Sequence, residues 1–141
     1  MFSLTEIRAT WTPHMLSVFR IVVALIYLQH PLAKFVAFPH LAAFDTLQAF
    51  SLIWVAGVIE LIGSLLLLVG LFTPFVAFIL SGEMAFAYFM AHAPRGFFPL
   101  TNGGEPAVLF CFAFLLLAFA GAGSWSIDHA WRRSATTLRT T

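Results

Sequence analysis

The chain has 141 residues, 61% of them hydrophobic and 9% charged, with a mean hydropathy of +0.95, well above the usual range for a soluble domain. That composition describes an integral membrane protein, and at about 20 apolar residues per spanning helix it accommodates four spans with no separate soluble domain. A formal net charge of +1 excludes a polybasic surface for nucleic acid, and the single cysteine, Cys111, excludes an intrachain disulfide.

The first ten residues, MFSLTEIRAT, lack the basic, apolar, small-residue order of a cleaved signal, so the chain is read as mature throughout. A first span is predicted near 13–32, opening at Pro13 and carrying Arg20. The stretch HPLAKFVAFPHLAAFDTLQ, with its prolines and with His30, Lys34, His40 and Asp45, reads as an outer-face loop with a short interfacial helix. Spans two and three are predicted near 50–71, around Glu60, and near 74–91, around Glu83, with Gly70 and Pro74 stopping and restarting the chain. A Pro/Gly-rich loop, HAPRGFFPLTNGGEP, leads to a fourth span near 106–120. Ser126 and Asp128 are placed to cap an amphipathic segment at 126–134. The expected fold is therefore all-α, an integral membrane four-helix bundle in one domain, 1–141.

Four spans put both termini on one side. Arg8, Arg132, Arg133 and Arg139 fall there, against Lys34 and Arg95 opposite, which points to an inner membrane with cytoplasmic termini. Trp11, Trp125 and Trp131 suit the same interface.

Charges inside a bilayer cost about 2.5–3.5 kcal/mol each on insertion scales and so turn toward the bundle interior. At 1.5 Å per residue Glu60 and Glu83 lie near mid-membrane, with Arg20 at a similar level, so the three are predicted to form a proton and charge cluster in which the acids titrate together. Around Glu60, Gly57, Gly63 and Ser64 leave room for a neighbouring backbone. A structural staple that fixes helix register is the competing reading. A second candidate lies at the outer mouth, where Tyr88, His92, Asn102 and Glu105 surround a pocket for a quinone or another small ligand, with Arg95 beside them. The alternative there is an N-terminal cap, Asn102 at the helix start and Glu105 three residues on, together with loop folding. His30, His40, His92 and Cys111 have no metal-ligand spacing, so no metal is expected. No motif for flavin, haem or iron–sulfur binding occurs, and the seventeen phenylalanines are read as packing or lipid-facing residues.

The segments GVIELIGSLLLLVGLFTP (57–74), GEMAFAYFMAHAPRGFFPLTNGGEPAVLF (82–110) and GAGSWSID (121–128), with LQHPLAKFVAFP (28–39), resemble the DoxX family of small bacterial and archaeal membrane proteins, over roughly residues 16–128. Pro31, Ser64, Pro74 and Ala122 depart from that pattern. The resemblance implies a four-helix membrane bundle whose recurrent polar positions fall on Arg20, His30, Lys34, Glu60, Glu83, His92, Asn102, Glu105 and Asp128. It also implies an accessory subunit of a quinone-linked oxidoreductase, with no cofactor of its own beyond a quinone and with a soluble or membrane redox partner protein supplying electrons. A non-catalytic scaffold and a proton-coupled small-solute carrier stand as alternatives, and homo-oligomerisation is left open.

Overall fold

The computed structural model describes residues 3–137 and is all-helical, with no strand among the described residues. Helix α1 spans Leu4–Phe35, α2 Leu52–Val69 and α3 Thr73–Ala87. A π-helical turn, Tyr88–His92, and a 3-10 turn, Ala93–Arg95, prolong α3. The short α4, Pro99–Asn102, precedes α5, Glu105–Ala120, and the amphipathic α6, Ile127–Thr137.

Three helical stretches, Leu4–Phe35, Leu52–Val69 and Thr73–Arg95, are long and apolar enough to cross a membrane. The fourth expected span is the shorter α5, whose 16 residues reach roughly 24 Å. Helix α1 packs on α2 and α3 on α5, while α2–α3 and α1–α5 contacts close the bundle. Its core joins Ala24 and Tyr27 of α1, Leu67 of α2, Ala77 and Leu80 of α3, and Phe114 and Leu117 of α5. The rest of each apolar surface faces outward, as a bundle dissolved in hydrocarbon requires.

The small face predicted on α2 is used for close approach. A Cβ on Gly57 would lie 2.8 Å from the Phe35 ring, and one on Gly63 would lie 2.8 Å from Leu80. Gly70 ends α2 in the left-handed region (φ 70°), its N–H bonded back into the last turn, and Pro74 begins α3 at a position where no amide donor is needed.

The predicted spans agree with these helices except at the ends of α1. That helix starts nine residues before the expected Pro13 and runs through the buried Pro31 to Phe35, so Lys34 is helical and not in the outer loop. Inside a bundle the carbonyl freed by a proline is tolerated, because neighbouring elements and local adjustment satisfy it. The loop that follows contains a 3-10 turn, Ala42–Phe44, where a short interfacial helix was expected, and an exposed His40–Asp45 pair at 2.9 Å. Arg139 lies outside the described residues.

Candidate functional site

One face of α1 carries Ser17, Arg20, Ala24, Tyr27, Pro31 and Lys34, spaced by three and four residues and turned toward the bundle. Near its C-terminal end the Lys34 ammonium donates to Glu60 Oε2 at 2.5 Å, and the two side chains are 8% and 6% exposed. Glu83 of α3 accepts a long hydrogen bond from the Tyr27 hydroxyl on Oε2, at 3.5 Å. Its other oxygen, Oε1, is buried and without a hydrogen-bond partner.

Lys34, Glu60 and Glu83 line one cavity of about 190 Å³ between α2 and α3. One ammonium therefore faces two carboxylates. The remaining wall is apolar, and its Leu52, Ile53, Phe86 and Met90 are exposed on the outside of the bundle, so the cavity opens sideways toward lipid. At this size it is smaller than the roughly 300–1,000 Å³ of pockets that enclose a whole drug-sized ligand. It suits a single polar ring or a few waters, with any apolar tail left in the bilayer.

Arg20 does not join the acids, which corrects the predicted three-residue cluster. Its guanidinium is fully buried midway along α1, about four turns before Lys34, and among the described residues donates to main-chain carbonyls: Nε to Ala122 at 2.8 Å, Nη1 to Leu67 and Leu68, and Nη2 to Trp125 at 2.5 Å. Those carbonyls belong to the last turn of α2 and to the connection between α5 and α6. Five donors in a planar fork match such a set of orphan acceptors. Leu67 lies seven residues beyond Glu60 along α2, roughly 10 Å, and this offset separates Arg20 from the carboxylates.

Asp128 completes this latch from the other side. Its carboxylate accepts from the amides of Phe72 and Thr73 at 2.8 Å each, capping α3 from a distant part of the chain, and its own amide donates to Gly70 O at 3.0 Å. The expectation that it caps its own helix is thereby corrected, whereas Ser126 does cap α6, accepting from the His129 amide at 3.1 Å. Ser17 Oγ accepts from the Trp125 amide at 3.0 Å, and the Ser124 amide reaches Pro13 O at 3.2 Å.

At the outer mouth three of the four predicted residues meet. The Tyr88 hydroxyl donates to Phe97 O at 2.5 Å, Asn102 Nδ2 donates to Gly96 O at 2.6 Å and to the Tyr88 oxygen at 3.3 Å, and Asn102 Oδ1 accepts from the Gly104 amide at 2.7 Å. His92 Nδ1 lies 3.2 Å from Asn102 O and 3.3 Å from Arg95 Nη2, and its ring stacks on Tyr88 at 6.4 Å. These polar groups are spent on one another and on the loop backbone, so the cluster folds the loop. The predicted helix cap is absent: the residue before α5 is Gly104, with no side-chain cap, and Asn102 closes a turn two residues long. Glu105 is exposed and stands apart from the other three, beside a shallow groove of Val23, Pro106, Leu109, Phe110 and Ala113. No group of three His, Cys, Asp or Glu able to hold a metal occurs among the described residues.

A family model described as DoxX matches residues 15–93, which holds more than half the chain and all three residues of the cavity's polar wall. The chain belongs to the DoxX family. A Haemophilus influenzae protein described as "Uncharacterized protein" is 46% identical over 123 residues, 84% of this chain and 92% of that one. No solved structure matches.

Of the polar wall of this DoxX protein, sequence spacing identified the two acids and missed their cation. Lys34 was among the positions that the family resemblance marked, and its place fourteen residues after Arg20, close to four helical turns, puts both on one face. Continuing the helix through Pro31 was the step that would have found it.

Proposed function

We propose that this membrane protein is an accessory subunit of a quinone-linked redox system, in the bacterial inner membrane, and that Glu83 and the Lys34–Glu60 pair form its ligand and proton site. The observation that carries the reading is the unpartnered, buried Oε1 of Glu83, a residue lining a cavity with a charged wall and a lipid-facing mouth. A buried polar atom without a partner costs about 1–3 kcal/mol, a cost removed when a ligand donor or a proton arrives. A lateral apolar mouth selects ligands that arrive through the bilayer.

A quinone supplies two-electron, two-proton redox chemistry when bound, and in this reading the electrons come from a partner protein. The chain's part is to bind and to handle protons. Lys34, fixed by Glu60, offers further N–H donors to a carbonyl oxygen, and Glu83 holds the proton that accompanies reduction. The saturated outer cluster of Tyr88, His92 and Asn102 shapes the loop above this site. Cytoplasmic termini are supported by Arg8, Arg132 and Arg133 at the end where α1 starts and α6 lies. Lys34, paired inside the bundle, no longer counts toward the opposite side.

The test is organic extraction and mass spectrometry of the protein purified in mild detergent, beside Glu83→Leu. One quinone per chain in the wild type, lost in a variant with unchanged melting, is the expected result. Bulk lipid alone in both proteins would overturn the quinone site and leave a non-catalytic scaffold as the function.

A further inference from the structure

Away from the acid cavity, the end of the bundle that holds the α1 N-terminus and α6 contains a second, larger cleft of about 700 Å³. Arg8 from α1 and Arg132 from α6, whose Nε also donates to Asp128 O at 3.3 Å, line it together with the His129 ring, and no carboxylate lines it among the described residues. Thr5, Thr12 and Ser124 add hydroxyls, and the Ser124 oxygen is buried with no hydrogen-bond partner among the described residues. Pro13, Leu16 and Ala120 make the rest of the wall apolar. The exposed indoles of Trp11, Trp125 and Trp131 stand around the same end, which sets it at the headgroup level of a bilayer.

We propose that this cleft is a binding site for one anionic phospholipid, its phosphate held by Arg8 and Arg132 with the Ser124 hydroxyl, and the start of its acyl chain lying against Leu16 and Ala120. The placement fits the chemistry: basic groups and hydroxyls meet a phosphate at the interface depth, and apolar wall continues toward the hydrocarbon. Free inorganic phosphate shares the headgroup chemistry but has no use for the apolar wall, so the two sources are separable.

The full chain in detergent is titrated with phosphatidylglycerol, with phosphatidylcholine of the same acyl chains, and with inorganic phosphate, and bound species are counted by native mass spectrometry. One phosphatidylglycerol per chain, retained in preference to phosphatidylcholine and not displaced by phosphate at equal concentration, is expected. An arginine near an anionic headgroup contributes about fivefold in affinity, so the Arg8→Gln/Arg132→Gln variant should bind phosphatidylglycerol roughly 30-fold more weakly. Ala9→Trp, which fills the cleft and leaves every charge in place, should lose the same lipid. Equal retention of both lipids, displacement by inorganic phosphate, or undiminished binding in either variant would overturn the proposal.

Discussion

Replacing Lys34 by methionine leaves the Glu60 carboxylate buried without its cation, and the size of the effect follows from burial. With the partners at 2.5 Å and 8% and 6% exposed, solvent screens the pair little, and removing one member of such a pair typically costs about 3–5 kcal/mol. For a chain of this length that corresponds to a melting point lower by roughly 10 °C. The double variant Lys34→Met/Glu60→Met removes both charges and fills similar volume, so it should return to within about 1 kcal/mol of the wild type or exceed it. Equilibrium unfolding in mixed micelles, followed by tryptophan fluorescence, measures all three. Single variants that each cost under about 1 kcal/mol and add in the double would match an exposed pair and refute the argument. The double variant also separates folding from ligand binding, because it keeps the bundle and removes two of the cavity's three charged groups.

Four other outcomes follow from the same geometry. Arg20→Lys should destabilise the protein by several kcal/mol with no change in ligand content, since an ammonium cannot reach carbonyls of Leu67, Leu68, Ala122 and Trp125 together; unfolding and extracted quinone check the two halves. Asp128→Ala, measured by the same unfolding, should cost about 0.5–2 kcal/mol through the lost cap on α3. Asn102→Ala should lower stability by about 1–3 kcal/mol and increase amide exchange at 96–104, leaving ligand content unchanged if the outer cluster only folds its loop. Glu83→Leu should cost no more than about 1 kcal/mol, against several for Glu60→Leu, because it deletes one unpartnered oxygen and one long bond from Tyr27, whereas Glu60→Leu strands the buried Lys34 ammonium.

Hydropathy alone located all four long helices to within a few residues, except where α1 runs on at both ends. Pro31 was read as a turn residue, the rule that holds in water, where a freed carbonyl and a displaced ring favour ending the helix. In a bundle it stays buried and helical, and the misreading moved Lys34 from the interior to a loop. The two acids were legible because a charge in an apolar run is conspicuous and depth follows from residue count. What depth cannot give is azimuth and partner. Arg20 is a similar count into its span, yet it turns to the carbonyls where α2 ends, a set of acceptors that carries no sequence signature. The latch through Asp128 was hidden for the same reason: its acceptor oxygens meet the amides of Phe72 and Thr73, more than fifty residues away, and side-chain patterns do not report backbone donors.

The polar groups of this protein divide by how fully they are satisfied, and that division orders the functional candidates better than burial does. Arg20 is the most buried charge among the described residues, yet its hydrogen bonds go to carbonyls that would otherwise lack a partner, so its surroundings await no ligand. Asn102 and Tyr88 are in the same position at the outer end. Glu83 differs: it has one long bond from Tyr27 and one empty oxygen, next to a pair whose single positive charge is already answered by Glu60. A folded chain gains nothing from that empty oxygen, and a leucine in place of Glu83 would give up only the long Tyr27 bond. An acid kept in that position against the interest of stability is the pattern expected of a binding or proton-handling group. The unequal costs predicted for Glu83→Leu and Glu60→Leu therefore test the assignment of roles directly, with one residue expected to hold the bundle together and the other to have been retained for what enters the cavity.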